Sequence, residues 1–168
     1  RLIRRAQSYV LIDMFLFNDF LGAATTTHRL LSKELVTTLI EKKKESPNII
    51  IWLITDPLNT IYGSYESPQL TQLRKHGISV ILTNLTKLRD SNPLYSMWWR
   101  TFLRHMPNIG GAWLPNMLDA EKPKVTLSSY LTLFNFKANH RKLIVADSMK
   151  NESRVWRTLI TSANPHDG

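Results

Sequence analysis

The sequence predicts an α/β fold: a layered α-β-α domain around a mixed, largely parallel sheet that ends in an antiparallel hairpin. Three observations carry that expectation. Short apolar runs rich in β-branched residues alternate with segments of helical spacing, which is the pattern of strand–helix–strand units. Pro, Asn and Gly fall between the runs as punctuation. The last two apolar runs, by contrast, follow one another with no helical segment between them.

Taken in order, a short basic helical turn at residues 2–7 leads into a buried strand at residues 8–17, carried by its β-branched and aromatic content. Residues 18–28 form a polar loop. Residues 30–44 place Leu31, Leu35 and Leu39 at helical spacing, and Ser46-Pro47-Asn48 stops the helix. The six apolar residues 49–54 predict a central strand covered on both faces. A loop with Asp56-Pro57 and Tyr62-Gly63 precedes a helix whose signals are explicit. Ser67 is its N-cap, Pro68 its first-turn residue and Gly77 its terminator. Residues 78–82 make another short strand. Residues 142–147 and 155–162, linked by 148–154, form the hairpin. No repeat, low-complexity tract or linker divides the chain, so residues 1–168 are expected to be one domain.

Composition bounds the function. A chain of 168 residues, 43% of them hydrophobic, should bury roughly 70% of its unfolded surface. No stretch reaches the roughly 18 uninterrupted apolar residues of a membrane span. The absence of cysteine excludes disulfides and thiolate metal sites and leaves the compartment open. A net charge of +9 favours anionic partners: nucleic acid, an acidic membrane surface or a phosphorylated substrate. The charge is concentrated near one motif, because Lys137, Arg141, Lys142, Lys150, Arg154 and Arg157 face only Asp147 and Glu152 in that stretch. Lys150, Arg154 and Arg157 are equally well read as solvating a turn and an exposed strand face.

That motif is Asn139-His140-Arg141-Lys142-Leu143-Ile144-Val145-Ala146-Asp147, followed by Thr161-Ser162-Ala163-Asn164. Side chains alternate along an extended chain, so His140 and Lys142 share a face while Leu143 and Val145 point to the core. An imidazole can attack phosphorus, and a neighbouring ammonium neutralises charge building on the phosphoryl oxygens. Neither a metal nor a cofactor is required. Asp147 is about 23 Å from His140 along an extended strand, which is too far for proton traffic and suits a strand anchor. Asp13 is expected either as a paired structural carboxylate or as part of the site floor. His28, His76, His105 and His166 lack comparable surroundings and read as ordinary surface or capping residues.

These residues resemble the HKD motif of the phospholipase D superfamily. Phe136 through Lys142, Thr55 through Gly63 and Leu88 through Ser96 are further similar to a bacterial branch related to cardiolipin synthases. The resemblance implies a phosphodiesterase or phosphatidyltransferase, acting on phospholipids at a membrane surface through a phosphohistidine. His140, Lys142 and Asn164 would be catalytic, Asp147 and Ser162 structural or assisting, and Asn139 and Arg141 close to the phosphate. Thr161 stands where the family has Gly. The superfamily builds one site from two HKD motifs, and one is present here. A second motif downstream in a longer protein is the expectation, and a homodimer that places two copies of His140 face to face is the alternative. An HKD-type nuclease and a non-catalytic half that completes another domain's site remain open. Nucleic acid is the less favoured partner.

Residues 94–106 project Leu94, Tyr95, Trp98, Trp99, Phe102, Leu103 and Met106 onto one helical arc, with Ser96, Arg100 and Arg104 opposite. The arc is expected to be core, with a lipid interface as the alternative. Residues 107–115 are expected to be a loop near the substrate entrance.

Overall fold

The computed structural model describes residues 1–20, 29–105 and 111–165. A 3-10 turn, Ile3–Arg5, precedes β1 (Tyr9–Met14); α1 (Leu31–Glu45) leads to β2 (Ile50–Thr55), and α2 (Pro68–Lys75) to β3 (Ser79–Leu82). Then follow α3 (Pro93–Thr101), β4 (Ala112–Leu114), β5 (Val125–Thr126), α4 (Leu127–Phe134), β6 (Lys142–Lys150) and β7 (Ser153–Ile160). The five-stranded sheet has the order β3-β2-β1-β6-β7. β1 pairs parallel with β2 and β2 with β3, whereas β1–β6 and β6–β7 are antiparallel. The sheet is thus evenly mixed rather than largely parallel, because the hairpin joins at β1 and makes the first strand the central one.

Alternation explains the core. Val10, Ile12 and Met14 of β1 and Ile51 and Leu53 of β2 point one way, and Val36, Leu39 and Ile40 of α1 with Leu70 and Leu73 of α2 close over them. The opposite face carries the other alternate residues. Ile50 is 51% exposed and Trp52 41%, so β2 is covered on one face only, not on both. Tyr9 packs edge-on to both Trp52, at 6.0 Å, and Trp156, at 5.7 Å, which shelters part of that face.

Other sequence expectations shift in the structure. On α1 the inward positions are Ser32, Val36, Leu39 and Ile40, while Leu31 and Leu35 line a surface groove with Met14 and Asn164. The hairpin turn is tighter than the predicted seven-residue link: Asn151 and Glu152, with φ of 48° and 64°, form a two-residue turn that matches the strands' twist. α2 follows its signals. Ser67 Oγ accepts the Leu70 N–H, and Gly77 takes the left-handed conformation, φ 73°, past the C-terminus.

α3 reverses the expected arc. The buried residue is Ser96, whose Oγ lies 2.5 Å from Asn135 Oδ1, and Tyr95 Oη donates to the Leu131 carbonyl at 2.8 Å. A small serine lets the helix close on α4, with Tyr95, Trp99 and Leu103 half-buried, while Trp98, 58% exposed, and Phe102, 56% exposed, turn outward. The core expectation for this arc is therefore overturned at Leu94, Trp98 and Phe102, while Tyr95, Trp99 and Leu103 are partly covered. Within the predicted entrance loop, Ala112–Leu114 is a strand paired with β5, not a loop; residues 106–110 lie outside the described residues, as do His28 and His166. A second small core of Phe20, Ile61, Tyr65 and Val125 ties this region to the segment that follows β2.

Candidate active site

The antiparallel approach of β6 brings its first residues to the carboxyl end of the parallel strands, where open α/β sheets place their ligands. Phe15 N–H donates to the Arg141 carbonyl at 3.1 Å, and Met14 stands opposite Lys142 in the register. The end of β7 is drawn to the same place, because Thr161 N–H donates to the Lys142 carbonyl at 3.1 Å.

Lys142 and His140 meet here. The Lys142 Nζ lies 3.1 Å from His140 Nδ1 and 3.2 Å from Nε2, so the ammonium stands off the ring plane, about equally far from the two nitrogens. His140 itself is exposed, whereas Lys142 is buried, and the Phe15 ring packs 5.0 Å from the imidazole. The apolar wall fixes the ring and the ammonium provides fixed positive charge, while solvent reaches the imidazole.

Asn164 is tied to the segment that follows β1: its Oδ1 accepts the Leu16 N–H at 3.1 Å. Asn164 lies in the turn after β7 and not on the strand itself. Ser162 is in the same turn and is exposed; Thr161 Oγ1 shapes it by accepting the Ala163 N–H at 3.0 Å. The sequence expectation of a strand running to residue 162 is corrected to β7 ending at Ile160, because that side-chain bond bends the chain out of the ladder.

Asn139 is the main link beneath His140. Its Nδ2 donates to Asp13 Oδ1 at 3.2 Å and to Thr83 Oγ1 at 3.4 Å, and its backbone N–H donates to Asp56 Oδ2 at 3.2 Å. Asp13 of β1 and the residues just past β2 and β3 thereby hold the residue before His140. Burial pushes the carboxyl of Asp13 upward, against the Asn139 bond and the Arg141 guanidinium, which lies 3.9 Å away. Burial also raises Asp56, against the N–H groups of Leu58 and Asn139. Asp13 is thus both a paired carboxylate and a support of the site floor.

Asp147 lies away from this cluster, at the other end of the sheet. Fully buried, it accepts the N–H groups of Gln7, Ser8 and Tyr9 at 3.2, 3.0 and 2.8 Å, the Ser8 hydroxyl at 2.9 Å and Arg154 Nε at 2.9 Å. Burial alone would raise its carboxyl, but the donors outweigh it and hold the group far below the usual carboxylate range.

Two supports had no role in the sequence reading. Asp56 caps the 3-10 turn Pro57–Thr60 by accepting the Leu58 N–H at 2.9 Å; the Asp-Pro pair was the available signal. Asn59 is fully buried: its Nδ2 donates to the Phe15 carbonyl and Thr55 Oγ1, both at 2.8 Å, and its Oδ1 accepts Phe17 N–H at 2.9 Å and Asn18 Nδ2 at 2.8 Å. A lone Asn in a turn gives no hint of such a clamp. No cluster of residues with the make-up of a metal site occurs among the described residues.

Comparison of this chain with protein-family models, with curated proteins and with solved structures found no match.

Proposed function

We propose that this chain is a phospholipase D-type domain that works as a phosphodiesterase or phosphatidyltransferase on phospholipids. The observation that carries the reading is the Lys142 ammonium 3.1 Å from the ring of an accessible His140. In the mechanism that the motif implies, His140 or its counterpart in a second motif attacks phosphorus, and the leaving alcohol takes its proton from the opposite histidine. That second histidine then takes the proton of water or an acceptor alcohol, whose oxygen attacks phosphorus as the P–N bond breaks and frees the first histidine. Lys142 and the Asn164 amide stabilise the non-bridging oxygens, with Ser162 assisting. Arg141 and Asn139 lie beside the phosphate position.

The exposed apolar face of α3 supports a lipid substrate. Leu94, Met97, Trp98 and Phe102 form it, and the basic residues Lys87, Arg89 and Arg100 lie nearby in sequence, a combination suited to an anionic bilayer surface. A peripheral membrane association belongs to the same proposal; no helix among the described residues is long and apolar enough to cross a membrane. The helix–sheet–helix layering of the superfamily belongs to the proposal as well, with the second helical layer on the sheet face of Trp52 and Trp156. A second HKD motif, covalently attached or from another copy, completes the site.

The test is turnover of a chromogenic phosphodiester and of phosphatidylglycerol vesicles by wild type and His140→Ala, with light scattering to give the oligomeric state. Wild-type turnover with an acid-labile phosphoprotein, both lost in the variant, is expected wherever two motifs meet. Full turnover by a monomeric His140→Ala protein would overturn the assignment. The net charge of +9 favours a nuclease as the second reading. DNA binding that weakens steeply with salt, together with DNA cleavage, would select it.

A further inference from the structure

The backbone of His140 has no regular structure of its own to hold it. Residues 136–141 lie outside helices and strands, and the imidazole they carry is exposed. On the C-terminal side the chain is fixed at once, because the Arg141 carbonyl accepts the Phe15 N–H at 3.1 Å and the β6 ladder begins at Lys142. On the N-terminal side the fixed point next to His140 is Asn139, half-buried and bonded through both its backbone and its amide. Lys137, which donates to the Leu88 carbonyl at 3.0 Å, anchors the chain two residues further back.

The three partners of Asn139 are themselves immobilised. Asp13 is buried within β1. Asp56 is buried just past β2, and while its Oδ2 accepts the Asn139 N–H, its Oδ1 accepts the Leu58 N–H at 2.9 Å. Thr83 follows β3, and its N–H donates to the Thr55 carbonyl at 2.9 Å. The chemistry of the amide excludes a second use. Both donor contacts of its Nδ2 are to protein oxygens, Asp13 Oδ1 and Thr83 Oγ1. What remains is a carbonyl oxygen, an acceptor, which a phosphate repels.

We propose that Asn139 is a positioning residue: it sets the backbone of His140 from the ends of three parallel strands, keeps the imidazole against Phe15 and Lys142, and does not itself bind the phosphate. The consequence for catalysis rests on the proposed function, in which His140 is the nucleophile; the tether itself does not. A nucleophile displaced by about 1 Å can lose about a hundredfold in rate, so the role is large enough to measure.

The first measurement needs no turnover. In NMR spectra of histidine-labelled protein, with His140 assigned by its loss in His140→Ala, the ring should show an NOE to Phe15, whose centroid lies 5.0 Å away. Asn139→Ala should weaken that NOE and move the His140 ring shifts towards those of a free imidazole. His76, whose Nδ1 lies 2.9 Å from the Gln72 carbonyl oxygen on α2, should not move and so reports that the fold is kept. The second measurement is turnover of a chromogenic phosphodiester with inhibition by inorganic phosphate. Asn139→Ala should lower kcat about tenfold or more, with KM and phosphate inhibition within about twofold of wild type. Thr83→Val should lower kcat in the same direction, and Thr83→Ser, which keeps the acceptor, should restore it. An Asn139→Ala protein that retains the Phe15 contact of His140 overturns the positioning role. A rise in KM and weaker phosphate inhibition at unchanged kcat also overturn it, and make Asn139 a phosphate ligand. Turnover that survives His140→Ala refutes the proposed function instead, and the NMR comparison then still decides the tether.

Discussion

The Asp147 carboxylate accepts the Tyr9 backbone N–H at 2.8 Å across 138 positions of sequence, and so fastens the start of the central strand to the far end of β6. With Gln7 and Ser8 adding their N–H groups, one side chain satisfies three successive backbone donors at the entry to β1. Asp147→Ala leaves those donors unpaired and should cost about 2–4 kcal/mol, read as a lower urea midpoint at unchanged slope. The folded carboxyl ionises far more readily than the unfolded one. Its contribution is therefore complete above the unfolded value near pH 4 and is lost as the pH falls through the folded value. Asp147→Asn should flatten the acid side of the stability profile, and an unchanged profile would refute this role.

Asp13 is predicted to act in the opposite sense. Its folded carboxyl is raised, chiefly by burial, so it stabilises the fold at low pH and loses that contribution as the pH rises through the folded value. Asp13→Asn retains an oxygen able to accept from Asn139. Thermal unfolding from pH 3 to pH 8 should show the variant gaining on wild type as the pH rises; a difference that stays constant would mean that the carboxyl is not perturbed.

Asn59 joins the end of β1 to the turn after β2 through both ends of its amide. Asn59→Ala should cost about 3 kcal/mol, since several buried partners lose their bonds together. Since Phe15 packs on His140, the same variant should lower phosphodiester turnover at temperatures where it remains folded. Normal turnover in folded Asn59→Ala would show that the clamp holds the strands without placing the imidazole.

Much of this arrangement is legible in the sequence, and the failures share a cause. Caps and turns are local, which is why Ser67, Pro68 and Gly77 mark α2 correctly. The adjacency of His140 and Lys142 is local too, although Ile144 and Ala146 face the core on the side of Lys142, and not the expected Leu143 and Val145. What alternation and helical spacing cannot tell is which face another element will cover. Trp52 reads as buried from its apolar run yet lies on the open face, and Trp98 and Phe102 of the α3 arc point outward because Ser96 and Tyr95 meet α4. Asn59 and Asp56 became supports only when the chain brought β1, β2 and residue 139 together.

The outward aromatic face of α3 gives the last prediction. Trp98 and Phe102 stack on each other with ring centroids 4.9 Å apart, and both are more than half exposed. A side chain that contributes little to the core can be removed at little cost in stability, so Trp98→Ala and Phe102→Ala should each change the unfolding free energy by less than about 1 kcal/mol. At a lipid interface the same rings leave water on binding, and their loss should weaken adsorption to phosphatidylglycerol vesicles about tenfold in the double variant. Vesicle sedimentation at several salt concentrations separates the contributions: an apolar anchor leaves a residual affinity at high salt that the double variant lacks. If wild type and double variant sediment alike under all conditions, α3 is not the lipid-facing surface and its aromatic face serves another contact.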